Sequence, residues 1–365
     1  MTSADRNRIS GVAHCGITAQ RDVAMELAET FVLLDNSSGS PAASLLFTDP
    51  REIVTASEPH EVADALARIE YCVGRGLHAA GFFAYELGYV LEPRIAHRIP
   101  KARNVPLLWI GLYEEPAVLE NAQVQAWLAA RTSGTYQFTD VTHAWNAADY
   151  QTRFEAVQEK IRAGDIYQLN LTFKARFRLT GSPLAFYRDL RQKQRVAYGG
   201  IVDTGAVTVL SASPELFIAQ NGRTIETRPM KGTSPRAGTP EGDGEMARIL
   251  AADEKQRAEN LMIVDLMRND IGRVSEIGSV EVTDLFTVET YRTLHQMTSG
   301  VRATLKEGVG ILDLMRAIFP PGSVTGAPKI RAEELISEYE SEPRGVYCGA
   351  IGHISPGGKA LLNVA

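Results

Sequence analysis

Residues 210–236, LSASPELFIAQNGRTIETRPMKGTSPR, predict a β-hairpin. Asn221-Gly222 stands between two β-rich runs, and this dipeptide is the strongest short-range hairpin signal. A two-residue turn at Asn221-Gly222 places Glu215 opposite Arg228 on the other arm. Because a strand rises by about 3.3 Å per residue, Lys231 then lies within roughly 10 Å of Glu215. The pattern therefore brings a carboxylic acid and an amine together at the open end of the hairpin.

Two prolines interrupt the arms at that open end. Pro214 directly precedes Glu215, and Pro229 lies two positions before Lys231. Proline donates no ladder hydrogen bond, so both strand ends are freed from regular pairing. An acid and an amine placed in this way can flank a small substrate, but they also fit a surface ion pair at the mouth of a hairpin. The hairpin alone leaves both interpretations open.

Strands and helices alternate on both sides of this hairpin, with further hairpins between them. Helical patterns cover residues 60–73, 149–163, 245–267, 310–318 and 327–340, and a β-rich run covers residues 166–179. This mixture favours layered α+β structure over a strictly alternating parallel sheet.

The composition is that of an ordinary globular protein. The chain has 365 residues, of which 44% are hydrophobic, and its formal net charge is −6. The acidic balance argues against nucleic acid or an anionic membrane as the main partner. No apolar stretch approaches the ~20 residues that span a bilayer, and the N-terminus lacks the apolar centre of a signal peptide. Cys15, Cys72 and Cys348 fit neither a disulfide framework nor a CxxC metal site, so we expect a reducing, cytoplasmic location.

The helix predicted over residues 245–267 carries a candidate metal ligand. Leu261, Val264 and Met267 would form its buried side, with Glu259 beside them. A single carboxylate completed by water suits Mg²⁺, which keeps several of its waters. On spacing alone, an ordinary residue at the edge of a helix is the commoner explanation.

Residues 322–329, GSVTGAPK, place Ser323 and Thr325 just before a helix start predicted at Ala327-Pro328. The free N–H groups and the dipole of a helix start can bind a carboxylate. An ordinary helix cap fits the same residues. Cys348, further along, is expected to be a small buried hydrophobe.

The order of the motifs is more informative than any one of them. From residue 164 onward they are GDIYQLNL, SASPELFI, TRPMKGTSPR, AENLMIVDLMRNDIGRV, TYRTLHQMTSG, FPPGSVTGAPK and EPRGVYCGAIG. This series resembles the chorismate-using enzymes, the family of anthranilate synthase component I. The resemblance implies an α+β fold with layers in the order α/β/β/α, in which two stacked, antiparallel-rich sheets are flanked by helices.

Two positions sort the reactions within that family. Members that add water to chorismate carry lysine where this chain has Gln168, and anthranilate-forming members carry alanine where it has Lys231. Glutamine suits ammonia, which is already a nucleophile. The resemblance therefore implies amination of chorismate at C4. The alternatives are the large subunit of anthranilate synthase and a non-catalytic module that binds chorismate or tryptophan.

The resemblance also implies roles for single residues. Glu215 would be the general acid for the departing C4 hydroxyl, and Lys231 the amine that attacks C2. Because lysine has an ordinary pKa of about 10.4, the site must lower the pKa of Lys231 by burial or by a nearby Mg²⁺, and we expect Lys231 to be at least partly buried. Glu259 would hold Mg²⁺. The implied substrate contacts are Gln168, His295, Ser323, Gly326 and Tyr347.

The chain divides into two regions by the same resemblance. Residues 1–142 resemble the N-terminal region of anthranilate synthase component I, and residues 143–365 the chorismate-binding catalytic region, with the polar segment 114–142 as the boundary. Relatives continue beyond LLNVA with an arginine, a glycine-rich loop and a helix, so we expect a truncated C-terminal end. No nucleophilic cysteine of a glutaminase is evident, so ammonia would come from a glutamine amidotransferase partner.

Overall fold

The computed structural model describes residues 30–38, 43–132 and 134–365, together with the backbone of residues 16–20. Cys15 lies outside the described residues. The helices are α1 (Val62–Gly74), α2 (Leu87–Leu91), α3 (Asn121–Arg131), α4 (Ala147–Arg162), α5 (Pro183–Lys193), α6 (Pro240–Ala252), α7 (Glu254–Gly272), α8 (Ile311–Ile318) and α9 (Lys329–Tyr339). Every helix in this part of the chain is too short or too polar for a bilayer span.

The strands follow the order of the chain. They are β1 (Gly16–Gln20), β2 (Phe31–Asp35), β3 (Ser44–Thr48), β4 (Glu52–Ala56), β5 (His78–Phe83), β6 (Leu108–Tyr113), β7 (Ala117–Leu119), β8 (Tyr136–His143), β9 (Gln168–Leu169), β10 (Ala175–Gly181), β11 (Tyr198–Asp203), β12 (Val207–Ser213), β13 (Leu216–Asn221), β14 (Thr224–Arg228), β15 (Met230–Pro235), β16 (Glu281–Thr290), β17 (Leu294–Thr304), β18 (Gly326–Ala327), β19 (Ala350–Ser355) and β20 (Lys359–Asn363).

Most of these strands form two large antiparallel sheets. The first sheet has the order β1-β12-β11-β2-β3-β7. The second sheet has the order β15-β17-β14-β13-β20-β19-β5-β6-β4, and β16 pairs with β17. Two small pairs, β8 with β10 and β9 with β18, lie outside the large sheets.

The two large sheets are stacked, with helices on their outer faces. Phe82 and Phe83 are neighbours on β5 and point to opposite faces, as successive strand residues do. Phe82 packs between the sheets with Phe47 of the first sheet. Phe83 packs in a separate core that contains residues of α1, α7 and α8. Since α3 and α5 cover the outer face of the first sheet, the predicted α+β fold with α/β/β/α layers is confirmed.

Both predicted regions contribute to both sheets. In the first sheet β2 pairs with β11, and in the second sheet β5 pairs with β19. The boundary segment 114–142 contains α3, which packs on the first sheet. The boundary at residue 142 therefore does not separate one sheet from the other, and it stays a prediction about the two sequence regions.

The hairpin forms with a register that differs from the predicted one. Asn221 pairs with Thr224, so the two-residue turn consists of Gly222 and Arg223. Gly222 has a φ of +60°. A type II′ hairpin turn needs a glycine with positive φ at its first central position, and Gly222 supplies it there. The predicted turn at Asn221-Gly222 is wrong by one residue.

The helix predicted over residues 245–267 is two helices. α6 ends at Ala252 and α7 begins at Glu254. Asp253 separates them because its carboxylate accepts a hydrogen bond from the Gln256 N–H at 2.9 Å, which caps α7. The predicted buried position Leu261 is 42% exposed. The buried residues of α7 are Asn260, Ile263, Val264, Met267, Asp270 and Ile271.

The β-rich run predicted over residues 166–179 is broken between β9 and β10. The Thr172 N–H donates to the Glu340 carboxylate at 2.9 Å. The Asn170 carbonyl accepts from the Arg344 guanidinium at 2.7 Å. The side chains of Glu340 and Arg344 thus occupy backbone groups that a continuous strand would pair. Both side chains come from a segment more than 150 residues further along the chain.

A buried ion pair fastens α5 to the first sheet. Arg191 donates to both carboxylate oxygens of Asp35, at 2.7 and 2.9 Å. We expect Arg191→Ala to lower the free energy of unfolding by about 3–5 kcal/mol, because Asp35 would be left as an uncompensated buried charge. Urea denaturation measures this change. The exposed pair of Arg178 with Asp140 provides the control, since Arg178→Ala should change the midpoint little. Equal effects of the two variants would contradict the prediction.

Candidate active site

Glu215 lies where the chain passes from the first sheet to the second. β12 ends at Ser213 and β13 begins at Leu216, with Pro214 between them. The Ser213 hydroxyl accepts a hydrogen bond from the Glu215 N–H at 3.2 Å and donates one to the Val364 carbonyl at 2.6 Å. These bonds fix the backbone of the crossing, so the carboxyl group is held at the junction of the two sheets.

The predicted pairing of Glu215 with Arg228 is wrong by one position. A bulge in β13 brings Leu216 opposite Arg228. Glu215 therefore lies beside Pro229, at the break between β14 and β15, which follow one another along β17. Its Oε1 accepts a hydrogen bond from the Met230 N–H at 3.3 Å. The shift moves the acid toward the predicted amine.

The carboxyl group of Glu215 is buried, with 1% of the residue exposed. Burial raises its pKa from 4.5 to about 7, because the charged form loses its hydration. Three interactions lower this pKa: a hydrogen bond with Ser323, the hydrogen bond from the Met230 N–H, and the charge of Lys231. Near neutral pH a substantial fraction of Glu215 is therefore protonated, as a general acid requires.

Lys231 lies in a bulge of β15. The register with β17 shifts at this point, and the neighbouring Gly232 has a φ of +105°. Bulges re-aim a side chain out of the regular ladder. The Lys231 side chain is half-buried, and burial lowers its pKa against the opposing charges of Glu259 and Glu215. The expected partial burial of Lys231 is therefore observed.

Glu259 on α7 belongs to the same charge cluster. Its carboxylate opposes the lowering of the Lys231 pKa, and the exposed Lys255 lies 3.8 Å from its Oε1. Within the described ranges, no three His, Cys, Asp or Glu side chains gather into a metal-binding group. A lone half-buried carboxylate fits a hard cation whose shell is completed by water and substrate oxygens.

A buried polar pair supports the backbone of Lys231. Asn260 on α7 donates from Nδ2 to the Lys231 carbonyl at 3.1 Å. The Ser299 hydroxyl donates to Asn260 Oδ1 at 2.6 Å. Neither Asn260 nor Ser299 was predicted from the sequence as part of the site. The available signal was a polar residue on the buried side of a helix, because such groups are nearly always hydrogen-bonded.

Gln168 lies on β9, in a close pairing with β18. A Cβ atom added to Gly326 would lie 2.3 Å from the Gln168 carbonyl oxygen, so glycine is required at that position. The side-chain Oε1 of Gln168 is buried and has no hydrogen-bond partner among the described residues. Buried amide oxygens are normally satisfied, so this one fits a site that receives a polar ligand.

Ser323 and Gly326 lie ahead of a helix, as predicted, but they belong to a short turn and a short strand that separate them from it. Ser323 belongs to a 3₁₀ turn, Gly322–Val324, and Gly326 pairs with Leu169 in β18. Helix α9 begins only at Lys329. The pairing of β18 with β9 occupies backbone groups that the prediction treated as free groups of a helix start. Ser323 instead contacts Glu215, and substrate contacts of Ser323 and Gly326 stay predictions.

His295 connects β17 to α6. Its Nδ1 lies 3.0 Å from the Thr290 hydroxyl, and its Nε2 lies 2.9 Å from Asp243 Oδ1. Asp243 also accepts a hydrogen bond from Arg236 at 2.6 Å, and this bond holds the pKa of Asp243 below its usual range. Both ring nitrogens of His295 thus have protein partners, and its contact with substrate stays a prediction.

Tyr347 is half-buried and lines a shallow cavity together with Trp145, Phe173 and Lys174. Burial raises the pKa of its hydroxyl. Its contact with substrate stays a prediction. The neighbouring Cys348 is fully buried with a raised pKa of about 12, as expected for a small hydrophobe.

The stacked sheets, with an acid and an amine at their junction, define a layered α+β protein with a buried polar site. The family model for chorismate binding enzymes matches residues 29–365. The chain belongs to this family.

Similar proteins include synthases of two kinds. Aminodeoxychorismate synthase component 1 of Klebsiella aerogenes is 38% identical over 294 residues, and the match covers 76% of this chain and 65% of the relative. The same component of Escherichia coli K12 is 38% identical over 297 residues, with the same coverage. Anthranilate synthase component 1 of Methanothermobacter marburgensis is 44% identical over 203 residues, covering 56% of this chain and 44% of the relative. The chain spans about 65% of the length of the first two relatives.

Solved structures share the fold. Anthranilate synthase component I from Streptococcus pneumoniae superposes with a TM-score of 0.71 at 25% identity, covering 100% of this chain and 86% of that chain. The menaquinone-specific isochorismate synthase of Escherichia coli superposes with a TM-score of 0.69 at 14% identity, covering 96% of this chain and 84% of that chain. At that identity the second likeness concerns the fold alone.

Proposed function

We propose that this chain is a chorismate-aminating synthase, with the activity named in its aminodeoxychorismate synthase relatives. The observation that carries the proposal is Lys231, a half-buried amine beside the buried acid Glu215. The product, 4-amino-4-deoxychorismate, would supply p-aminobenzoate and folate formation. The proposed location is the cytoplasm, where the free thiols of Cys72 and Cys348 stay reduced.

In the proposed first step, Glu215 and Lys231 act together. Hydroxide is a poor leaving group, so the Glu215 carboxyl gives its proton to the C4 hydroxyl, which departs as water. The lone pair of Lys231 Nζ forms a bond to C2 of the ring, and both ring double bonds shift toward C4 as the C4–oxygen bond breaks. The lowered pKa of Lys231 increases the fraction of neutral amine that can attack.

In the second step, ammonia attacks C4 and the bond from C2 to Lys231 breaks. The surplus proton of the bound ammonia passes to the Glu215 carboxylate, which restores both groups. By resemblance, Gln168 stands where water-adding relatives carry a base. Its Oε1, which has no partner among the residues that the structure describes, can accept a hydrogen bond from ammonia without removing a proton. We propose that a glutamine amidotransferase subunit supplies the ammonia.

Magnesium is part of the proposal through Glu259. This carboxylate, with water and the ring carboxylate of chorismate, would complete the shell of the ion. A bound Mg²⁺ supplies positive charge for a dianionic substrate in a chain of net charge −6. Ser323, Gly326, His295 and Tyr347 remain proposed substrate contacts.

The second candidate is an anthranilate synthase large subunit, because relatives of that kind match more than half of the chain. Lys231 favours amination at C4, since anthranilate-forming members carry alanine at this position by resemblance. A non-catalytic module that binds chorismate or tryptophan is the third candidate. The acid of raised pKa beside the amine favours catalysis over binding alone.

Product identification separates the three candidates. The protein is incubated with chorismate, ammonium and Mg²⁺, and then with aminodeoxychorismate lyase. We expect p-aminobenzoate after the lyase and no fluorescent anthranilate before it. Anthranilate formed without the lyase would contradict the proposal in favour of the second candidate. Unchanged chorismate would favour the binding module.

We expect the reaction rate to fall as the pH rises above about 7. Glu215 must be protonated to act as the acid, and its pKa is raised to about 7, so the active form is lost above that value. The measurement is kcat/KM for chorismate from about pH 6 to about pH 9 at a constant concentration of free ammonia. A rate that keeps rising to the upper end of this range would contradict the assignment of Glu215.

A further inference from the structure

Arg344 is a buried arginine that the proposed steps do not use. It follows α9 and is 4% exposed. Its Nη1 donates to the Val324 carbonyl and its Nη2 to the Asn170 carbonyl, each at 2.7 Å. One planar group therefore bridges two main-chain segments that are more than 150 residues apart.

These two segments carry opposite sides of the site. Val324 directly follows Ser323, which is hydrogen-bonded with Glu215. Asn170 lies two residues after Gln168, whose Oε1 is buried without a partner in the described part of the chain. Arg344 therefore holds the segment that contacts the acid against the segment that carries the amide.

The direct pairing between the two segments is short. β9 and β18 pair over two residues each. Two flanking bonds join the same segments, from the Tyr167 N–H to the Ala327 carbonyl at 2.7 Å and from the Asn170 N–H to the Thr325 carbonyl at 2.8 Å. Even a full two-stranded hairpin is marginally stable by itself, so a ladder of this length needs support. The two bonds from Arg344 supply that support.

The guanidinium is fixed from several directions. Glu340 accepts from Nε at 2.9 Å and from Nη2 at 2.7 Å. The Tyr85 ring centroid lies 4.4 Å from Cζ. The Glu86 carboxylate accepts the main-chain N–H groups of Arg344 and Gly345 at 2.6 and 3.0 Å. A planar fork with five donors can serve two carbonyls and a carboxylate at once, and the single ammonium of lysine cannot reproduce this geometry.

We propose that Arg344 is a positioning residue that fixes Gln168 relative to Glu215 and thereby favours ammonia over water at C4. The proposal rests on the proposed function. Arg344 makes no contact with substrate in this proposal. Its replacement should change how the lysine-bound intermediate divides between attack by ammonia and attack by water, which a general loss of stability would not do.

The partition follows from the chemistry of the lysine-bound intermediate. When ammonia attacks C4, a carbon–nitrogen bond forms there, the C2 bond to Lys231 breaks, and one proton goes to the Glu215 carboxylate. When water attacks C4 instead, a carbon–oxygen bond forms, the same C2 bond breaks, and one proton again goes to Glu215. The second route regenerates chorismate, so water labelled with ¹⁸O places the label on its C4 hydroxyl.

The test measures the ratio of labelled chorismate to aminated product at one ammonium concentration. We expect Arg344→Lys to raise this ratio at least about tenfold over the unaltered chain, because displacement of a positioned group by about 1 Å can cost a hundredfold in rate. If Arg344→Lys does not fold, the double variant Arg344→Gln with Glu340→Gln removes both charges and leaves no unpaired buried ion.

Arg153 provides the matched control. It also donates to main-chain carbonyls, those of Tyr339 and Asp149 at 2.9 and 3.1 Å, and it lies over the Trp145 ring. Arg153→Lys should leave the ratio unchanged. The proposal would be overturned if the Arg344 variants gave the same ratio as the unaltered chain, even if their total activity fell. The absence of labelled chorismate from both the variants and the unaltered chain would overturn it as well. No aminated product from the unaltered chain would instead refute the proposed function.

Discussion

Replacement of Lys231 by alanine is expected to lower the rate of chorismate amination by at least about a thousandfold. The variant loses the amine that bonds to C2, so ammonia would have to displace the C4 hydroxyl without the intermediate. The measurement is the rate of p-aminobenzoate formation in the coupled assay with the lyase.

The control for this variant is another lysine outside the site. Lys306 donates to the Arg273 carbonyl at 3.0 Å in an exposed loop, and Lys306→Ala should keep the rate within about twofold, as surface substitutions do. Binding of chorismate, followed by isothermal titration, should persist in the Lys231 variant because Glu259 and Gln168 remain. A Lys231→Ala protein that aminates chorismate at the unaltered rate would exclude the role of nucleophile.

Replacement of Glu215 by glutamine is the second large effect expected. Glutamine keeps the shape of the side chain but has no acidic proton, so the rate should fall by about 10²–10⁴-fold. The remaining activity should also lose its decrease above about pH 7, because that decrease is assigned to ionisation of Glu215. The measurement is the pH profile of kcat/KM for the variant beside that of the unaltered chain.

Stability separates a chemical role of Glu215 from a structural one. The pKa of Glu215 is raised in the folded chain, so its ionisation makes folding less favourable as pH rises from about 4.5 through about 7. Glutamine removes this penalty, and the Glu215→Gln protein should unfold in urea at an equal or higher midpoint above pH 7. Glu226→Gln on the neighbouring strand, where Glu226 pairs with Arg302, is the control and should retain activity. A Glu215→Gln protein that is active but unstable would contradict the assignment.

Local sequence signals predicted the helices whose ends are set by local interactions. α8 begins after Gly310 and ends before Phe319, as predicted from the proline that follows. α9 extends over Lys329–Tyr339, within the predicted range. The layered α+β architecture also followed from the alternation of strands and helices and from the motif order, because both are properties of the sequence itself.

The sequence did not predict features that depend on distant side chains. The strand predicted after Gln168 breaks because Glu340 and Arg344 take its backbone groups. One of the two partners of His295 is Asp243, on a separate helix. The register of the hairpin was missed for a local reason, because Gly222 takes the first turn position and a bulge follows in β13. The acid and the amine could be paired from spacing, and partial burial of Lys231 was expected from its implied role, but the full burial of Glu215 was not predicted.

The proposed mechanism depends on a bond between Lys231 and the chorismate ring that forms as Glu215 protonates the C4 hydroxyl. The most direct measurement is mass spectrometry of the protein after incubation with chorismate and Mg²⁺ without ammonia, followed by acid quenching and digestion. We expect the peptide containing Lys231 to gain the mass of chorismate less one water, and Glu215→Gln to reduce this species strongly. Full amination activity with no such addition, or with the addition on another residue, would contradict the proposed mechanism.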